Sequence, residues 1–299
     1  MEHEPLMQGN YYHIFNRGNN SSNLFSKPEE YEHFLHLYDK YILPIADTFA
    51  WALMRNHFHL LVHIKSNVVY KYSVETLNRI SPNKIWYEEH KWETTDLSTS
   101  AGPDNVTKPI NADRSRDAVR FKQPVPHKHF AHLFNAYSRY LQIRTGRTGN
   151  LFERPFKRKL IDNEEYLKTA VLYIHNNPVH HGFCSHPLEY PWTSYLTSIS
   201  NKPTKLKRDE VIKLFSNKEN FEHQHNQKID IGQIEKWLEI TPSDLHDLDL
   251  SEQVDADRSG DAVRSGEAAV DFDLSACEAS RWIGTGSDNV KMKEDDELN

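Results

Sequence analysis

Short stretches of alternating apolar and polar residues open the chain, with a helical period between them. Tyr11 to Arg17 (YYHIFNR) reads as a strand, followed by a polar turn through Gly18, Asn19 and Asn20. Ser26 and Glu29 have the spacing of a capping box. After them Tyr31, Phe34, Leu35, Tyr38 and Ile42 recur at helical intervals. Phe49, Trp51 and Leu53 alternate with smaller residues as a second strand, and Arg55 and Asn56 break it. Phe58, Leu60, Val62 and Ile64 then alternate with His57, His59, Leu61 and His63 in a third strand. Glu93 to Pro126 is rich in Ser, Thr, Asp, Asn and Pro, has no apolar period and looks inserted.

The pattern resumes with a helical stripe of Phe130, Leu133, Phe134, Tyr137 and Leu141, a Gly- and Arg-rich turn (TGRTGN, Thr145 to Asn150), and a fourth strand over Phe156 to Ile161. Asp162 and Glu165 form an acidic cap pair for a helix through Tyr166, Leu167, Ala170, Val171 and Ile174. That helix is expected to stop by Pro178, because the residue before a proline avoids helical geometry. A further helix is expected at Arg208 to Phe215. Beyond about Thr241 periodicity fades and the chain turns acidic, so residues 228–299 are expected to form an acidic, disordered tail.

Charge sharpens this division. The net charge is −7, but Thr241 to Asn299 holds 16 acidic and 5 basic residues, which leaves the preceding 240 residues net positive. Phe121 to Leu160 carries nine Lys and Arg against the single acid Glu153. A basic body with an acidic tail fits a polyanion binder; a solvated charged surface explains the same numbers. Cys184 and Cys277 lie far apart and form no metal-type pair, which suits a reducing cytosol. No apolar run approaches the roughly 18 residues of a membrane span, and Met1 to Asn10 does not read as a signal peptide. The expected location is cytoplasmic. ADRSRDAVR (Ala112 to Arg120) nearly recurs as ADRSGDAVR (Ala256 to Arg264), as if both were translated copies of one dispersed DNA repeat.

Two groups of residues carry candidate chemistry. With Phe58, Leu60, Val62 and Ile64 packed on helices, His57 and His59 point the other way together, about 7 Å apart along the strand. Such a pair can converge on one divalent ion, with added carboxamide and water ligands keeping the site open to Mg or Mn. A chain with 18 histidines also contains H-x-H by chance, and His63 continues the same face. On the later helix Tyr166, Ala170, Tyr173 and Asn177 share one stripe beside the apolar one, so Tyr173 is placed where its hydroxyl could reach into a cleft. A phenol can attack phosphorus and form a covalent phosphotyrosine, and Asn177 could supply a third metal ligand. On chemistry alone Tyr137, Tyr140, Tyr166 and Tyr173 compete.

LMRNHFHLLV (Leu53 to Val62), GRTGNLFERPFK (Gly146 to Lys157), YLKTAVLYIHNNPVHHG (Tyr166 to Gly182) and YHIFNRGN (Tyr12 to Asn19) together resemble the single-tyrosine HUH transposases, in particular the REP-associated tyrosine transposases. The resemblance runs from about Tyr11 to about Asn226. It implies an α+β, ferredoxin-like (RRM-like) antiparallel sheet with helices on one face plus a tyrosine-bearing helix, over residues 1–227 with the insert at about 93–126. It places the metal ligands on His57, His59 and Asn177 and the nucleophile on Tyr173. The implied activity is cleavage and rejoining of single-stranded or hairpin DNA through a 5′-phosphotyrosine with Mg or Mn; family members are often homodimers. Phe152 stands where the family usually has tryptophan. Arg139, Arg144, Arg147, Arg154, Lys157, Arg158 and Lys159, interleaved with aromatic rings, offer cations for phosphates and faces for bases. A hairpin-binding regulator without catalysis, and a closed structural metal site, are the competing readings.

Overall fold

The computed structural model describes residues 5–73, 92–94, 119–227 and 231–237. Strand β1 (Tyr11–Arg17) is followed by helix α1 (Pro28–Tyr41), then by β2 (Ala46–Leu53) and β3 (His57–Ile64). Helix α2 (Pro126–Thr145), strand β7 (Lys157–Ile161) and helix α3 (Glu164–His180) complete the main layer. The four strands form one antiparallel sheet in the order β2-β3-β1-β7. With α1 between β1 and β2, and α2 between β3 and β7, this is the ferredoxin-like arrangement of an α+β fold.

Both faces of the sheet are buried. Tyr12, Ile14, Phe58, Leu60, Val62 and Ile64 pack with Phe34, Tyr38, Phe130, Leu133 and Tyr137 of α1 and α2. The opposite residues Phe15, Ala50, Ala52 and Leu61 pack under Leu167, Ala170, Val171, Tyr173 and Ile174 of α3. Ala50 and Ala52 leave room for that helix to approach β2. Short helices α4 (Tyr195–Ile199), α5 (Arg208–Leu214) and α6 (Lys218–His225) finish this second layer. Helix α7 (Ile231–Trp237) lies past the expected boundary at residue 227 and also contacts α3.

Several local expectations are corrected. Phe49 does not share a face with Trp51 and Leu53. A bulge between Thr48 and Ala50 turns Phe49 into the α3 layer, because one extra residue reverses the alternation. Helix α1 is capped by Glu30, whose carboxylate accepts from the backbone N–H groups of Ser26 (2.6 Å) and Lys27 (3.2 Å), not by the Ser26–Glu29 pair. Asn163 rather than Asp162 caps α3, its side-chain oxygen accepting from the Tyr166 N–H at 2.9 Å. Helix α3 runs through Pro178 to His180. The residues around it are held on the sheet, and the Pro178 carbonyl accepts from the Phe183 N–H at 2.9 Å. The low-complexity segment expected as an insert over Glu93 to Pro126 begins within β5 (Trp92–Thr94) and contributes β6 (Val119–Lys122), which together flank β4 (Val68–Ser73) in a second antiparallel sheet. Both copies of the ADRSxDAVR repeat fall almost wholly outside the described residues, and the acidic tail beyond 237 lies entirely outside them.

Candidate active site

The site is assembled by strand pairing and one helix stripe. His57 and His59 leave β3 on the face opposite Phe58 and Leu60. Pairing with β1 sets Phe15 across from His59, Arg17 across from His57, and His13 across from Leu61. His13 is thus the diagonal neighbour of His59, within reach on the same face. Above this face α3 presents Tyr173 and Asn177 at i and i+4, and His181 follows one turn later.

These side chains meet. The rings of His57 and His59 are 5.2 Å apart, those of His59 and Tyr173 are 5.4 Å apart, and those of His57 and His181 are 5.1 Å apart. His57 Nε2 lies 2.9 Å from Asn177 Oδ1, and His57 Nδ1 lies 2.8 Å from Asn56 Oδ1. His13 Nε2 lies 3.0 Å from His59 Nδ1. Five buried polar atoms here have no hydrogen-bond partner: His13 Nδ1, His59 Nε2, Tyr173 Oη, Asn177 Nδ2 and His181 Nε2. Buried polar groups are paired in the great majority of cases, so such a concentration in one place calls for a ligand-based explanation.

The two contacts of His57 make the same point more sharply. A neutral imidazole carries one N–H, yet both of its nitrogens face amide oxygens. Burial pushes the His57 pKa down to about 4, so the doubly protonated form that would satisfy both is disfavoured near neutral pH. One of these two contacts therefore lacks a proton: either Nε2–H donates to Asn177 and Nδ1 faces Asn56 bare, or Nδ1–H donates to Asn56 and Nε2 and the Asn177 oxygen, 2.9 Å apart, face each other as two lone-pair donors.

The other imidazoles are kept neutral as well. Burial lowers His59 well below the ordinary value, and His13 and His181 to about 3. Neutral imidazoles are the form that binds metal. The donor set of two imidazoles and an amide oxygen fits an ion that keeps open positions. Among the described residues no three His, Cys, Asp or Glu side chains are placed to hold an ion, so a closed site of those residue types is not formed there.

Tyr173 departs from the expectation of a hydroxyl reaching into a cleft. It is fully buried against the sheet, because the histidine face, not the helix flank, is what α3 covers with this stripe. Burial is the main cause that raises its pKa, the Glu235 carboxylate adds to it, and the Asn177 amide opposes it. Tyr137 and Tyr140 belong to the α1–α2 core, where Tyr137 donates to the Leu24 carbonyl at 2.6 Å, while Tyr166 is on α3 itself, two turns before Tyr173 and partly buried against the same layer.

The basic residues divide. Lys157 pairs with Phe15 and Lys159 with His13, which puts both lysines on the histidine face, whereas Arg158 pairs with Ile14 and falls on the other. Arg144 ends α2 with its guanidinium 5.3 Å from the Tyr140 ring, Arg147 donates to Ser22 Oγ at 2.9 Å, and Arg154 is exposed in the loop before β7. A small pocket beside the histidines is lined by Phe15, Asn16, Arg17, His57, His59, Glu153 and Lys157, and Arg17 is ion-paired with Glu153 at its rim. His13, His181 and Arg17 are site residues that sequence reasoning did not single out. The signal for His13 was present in β1, where His13 and Phe15 alternate with Tyr12 and Ile14.

No helix among the described residues is long and apolar enough to cross a membrane. No family model and no curated protein matches the chain. Among solved structures it is similar to one described as a REP-associated tyrosine transposase bound to a REP hairpin. The match has 13% sequence identity and a TM-score of 0.39, and it covers 67% of this chain and 85% of the other.

Proposed function

We propose that this protein is a transposase-type endonuclease that cleaves and rejoins single-stranded DNA, acting on hairpin or palindromic repeat elements. The observation that carries the reading is that one neutral buried imidazole, His57, faces amide oxygens with both nitrogens, one of them Asn177 Oδ1, beside His59 Nε2 and a Tyr173 phenol that have no hydrogen-bond partner. His57, His59 and Asn177 would hold a divalent ion, Mg or Mn. When bound, that ion would neutralise charge on a phosphate and polarise its oxygens.

Tyr173 supplies the nucleophile. Its phenolic oxygen loses its proton and forms a bond to the phosphorus while the bond from phosphorus to the 3′ oxygen breaks, and the leaving 3′ oxygen takes up a proton in turn, so no net proton is consumed. The products are a 5′-phosphotyrosine and a free 3′-hydroxyl, and the energy of the phosphodiester is retained for rejoining. Lys157 and Lys159, on the same face, would bind neighbouring phosphates. Because Tyr173 has no exposure in this state, a strand reaches it only when the residues around it part. That burial is also what favours the second reading, a hairpin-binding regulator that no longer cuts.

A labelled single-stranded hairpin oligonucleotide incubated with Mg or Mn separates the two. The nuclease gives a denaturation-resistant protein–DNA adduct that disappears with Tyr173→Phe and with chelator. Binding with no adduct under any metal supports the regulator, and an adduct that survives Tyr173→Phe removes Tyr173 from the mechanism.

A further inference from the structure

His59 can act as a ligand through Nε2 only if its proton sits on Nδ1. Nothing within the His59 ring enforces that choice, since the two neutral tautomers are close in energy in water. The choice is tied to the neighbour of Nδ1, His13 Nε2 at 3.0 Å in a wholly buried contact where one ring donates and the other accepts, and a His59 that ligates through Nε2 requires His13 Nε2 to be the acceptor. His57 is held in the parallel way: its Nδ1 is engaged by Asn56 Oδ1 and its Nε2 faces Asn177. Both histidines of β3 are therefore tied by Nδ1 and present Nε2 towards α3.

We infer that His13 is a positioning residue whose Nε2 accepts the Nδ1 proton of His59, fixing the tautomer and ring orientation that leave His59 Nε2 bare for a cation. His13 itself then carries its proton on Nδ1. The inference rests on the reading of His59 as a ligand, and it adds a residue that touches neither DNA nor the ion. Phe15 stacks on His13 with ring centres 4.9 Å apart and on His59 at 5.8 Å, so the two imidazoles are braced by a common ring. Partners that hold a ligating histidine by its second nitrogen typically change metal affinity by about 10–100-fold when removed.

The test uses the full chain without metal. Long-range nitrogen–proton NMR correlations report which imidazole nitrogen carries the proton, with the His59 signals identified by their loss in His59→Gln. The expected pattern is Nδ1–H with a bare Nε2. His13→Phe keeps the ring stack but removes the acceptor. It should shift His59 towards Nε2–H and weaken Mn2+ binding by about 10–100-fold. His13→Gln places an acceptor oxygen at similar reach and should restore most of both. Melting without metal checks that each variant folds; if His13→Phe does not, the His13→Gln comparison with wild type and the wild-type tautomer decide. A wild-type His59 with its proton on Nε2, or an affinity in folded His13→Phe within about twofold of wild type, overturns the inference. If wild type shows the expected tautomer but binds no Mn2+, the metal reading fails while the His13–His59 assignment stands.

Discussion

Helix α3 carries buried polar chemistry on two sides, and the two sides are wired differently. Away from the sheet site, His175 and His225 form a chain in which every nitrogen has one role. His225 Nδ1–H donates to the Phe221 carbonyl at 2.7 Å, and His175 Nδ1–H donates to His225 Nε2 at 3.0 Å. The Ser194 hydroxyl donates to His175 Nε2 at 2.7 Å, and the Trp51 N–H donates to the Ser194 oxygen at 2.9 Å. The direction of each bond follows from the first, because a carbonyl can only accept. On the other side, His13, His57, His59, Tyr173 and Asn177 are buried and His181 is half-buried, yet five of their polar atoms find no partner and one imidazole faces two oxygens. A satisfied network holds elements together; one whose polar atoms find no protein partner leaves them to water or a ligand. Both clusters are rich in histidine, so residue type does not tell them apart. Accounting for each proton does.

The largest expected effect breaks the satisfied cluster. His175→Leu leaves His225 Nε2 buried without a partner and the Ser194 hydroxyl with only the longer contact to the Trp51 carbonyl at 3.4 Å for its proton, at about 1–3 kcal/mol each. Urea unfolding should show a loss of roughly 2–6 kcal/mol, with α3, α4 and α6 no longer tied together. The matching change on the other side has the opposite sign. Tyr173→Phe removes a buried hydroxyl with no well-formed hydrogen bond, near only the Asn177 amide among the polar side chains that act on it favourably, so stability should stay the same or rise by up to about 2 kcal/mol, even as the proposed covalent adduct is lost. A Tyr173→Phe protein destabilised by more than about 1 kcal/mol would mean that the phenol has a structural partner after all.

Acid sharpens the comparison at intermediate scale. Burial lowers His57 and His225 to about 4 and His13 to about 3, against an ordinary value near 6.5. The unfolded chain therefore takes up protons that the folded chain refuses. Stability from these groups is complete above about pH 6.5 and drains away as pH falls towards about 4. Both clusters contribute to this loss, but only one should respond to metal. Saturating Mn2+ competes with protons for the site imidazoles alone. Melting curves with and without Mn2+ should then separate at pH 7, by about 2.7 kcal/mol at a hundredfold excess over Kd, and converge near pH 4. Curves that coincide at every pH would leave the unsatisfied cluster without its ligand.

How much of this could be read from the chain follows from how each feature is encoded. The sheet was legible because Phe58, Leu60, Val62 and Ile64 repeat at the strand period, and that period alone set His57 and His59 on the far side. The stripe of Tyr173 and Asn177 was legible for the same reason at the helical period. What failed were features that periodicity does not encode. The bulge at Phe49 left the local alternation intact while reversing its meaning. Pro178 continued a helix because tertiary packing outweighs one missing backbone bond. Trp92–Thr94 and Val119–Lys122 joined a sheet from polar sequence because β4 offered both edges. His13 required the register between two strands 46 residues apart. Its own strand announced its face, but not which residue it would meet.

The smallest expected effect concerns the mouth of the site. Glu153 pairs with Arg17 beside the pocket that contains His57 and His59, and Lys157 lines the same pocket. The pair is partly exposed, so Glu153→Gln should cost no more than about 1 kcal/mol of stability. Its effect on nucleic acid should be larger in kind than in size. Removing this carboxylate from the rim leaves Arg17 with one anionic partner fewer and lowers repulsion of the strand. Binding of a single-stranded hairpin, followed by fluorescence polarisation across salt concentrations, should tighten, and the slope of log affinity against log salt should steepen by up to about 0.7 for one added phosphate contact. An unchanged slope would show that the strand does not pass over Arg17, and the route to the unsatisfied cluster would have to run along Lys159 and the far end of β7 instead.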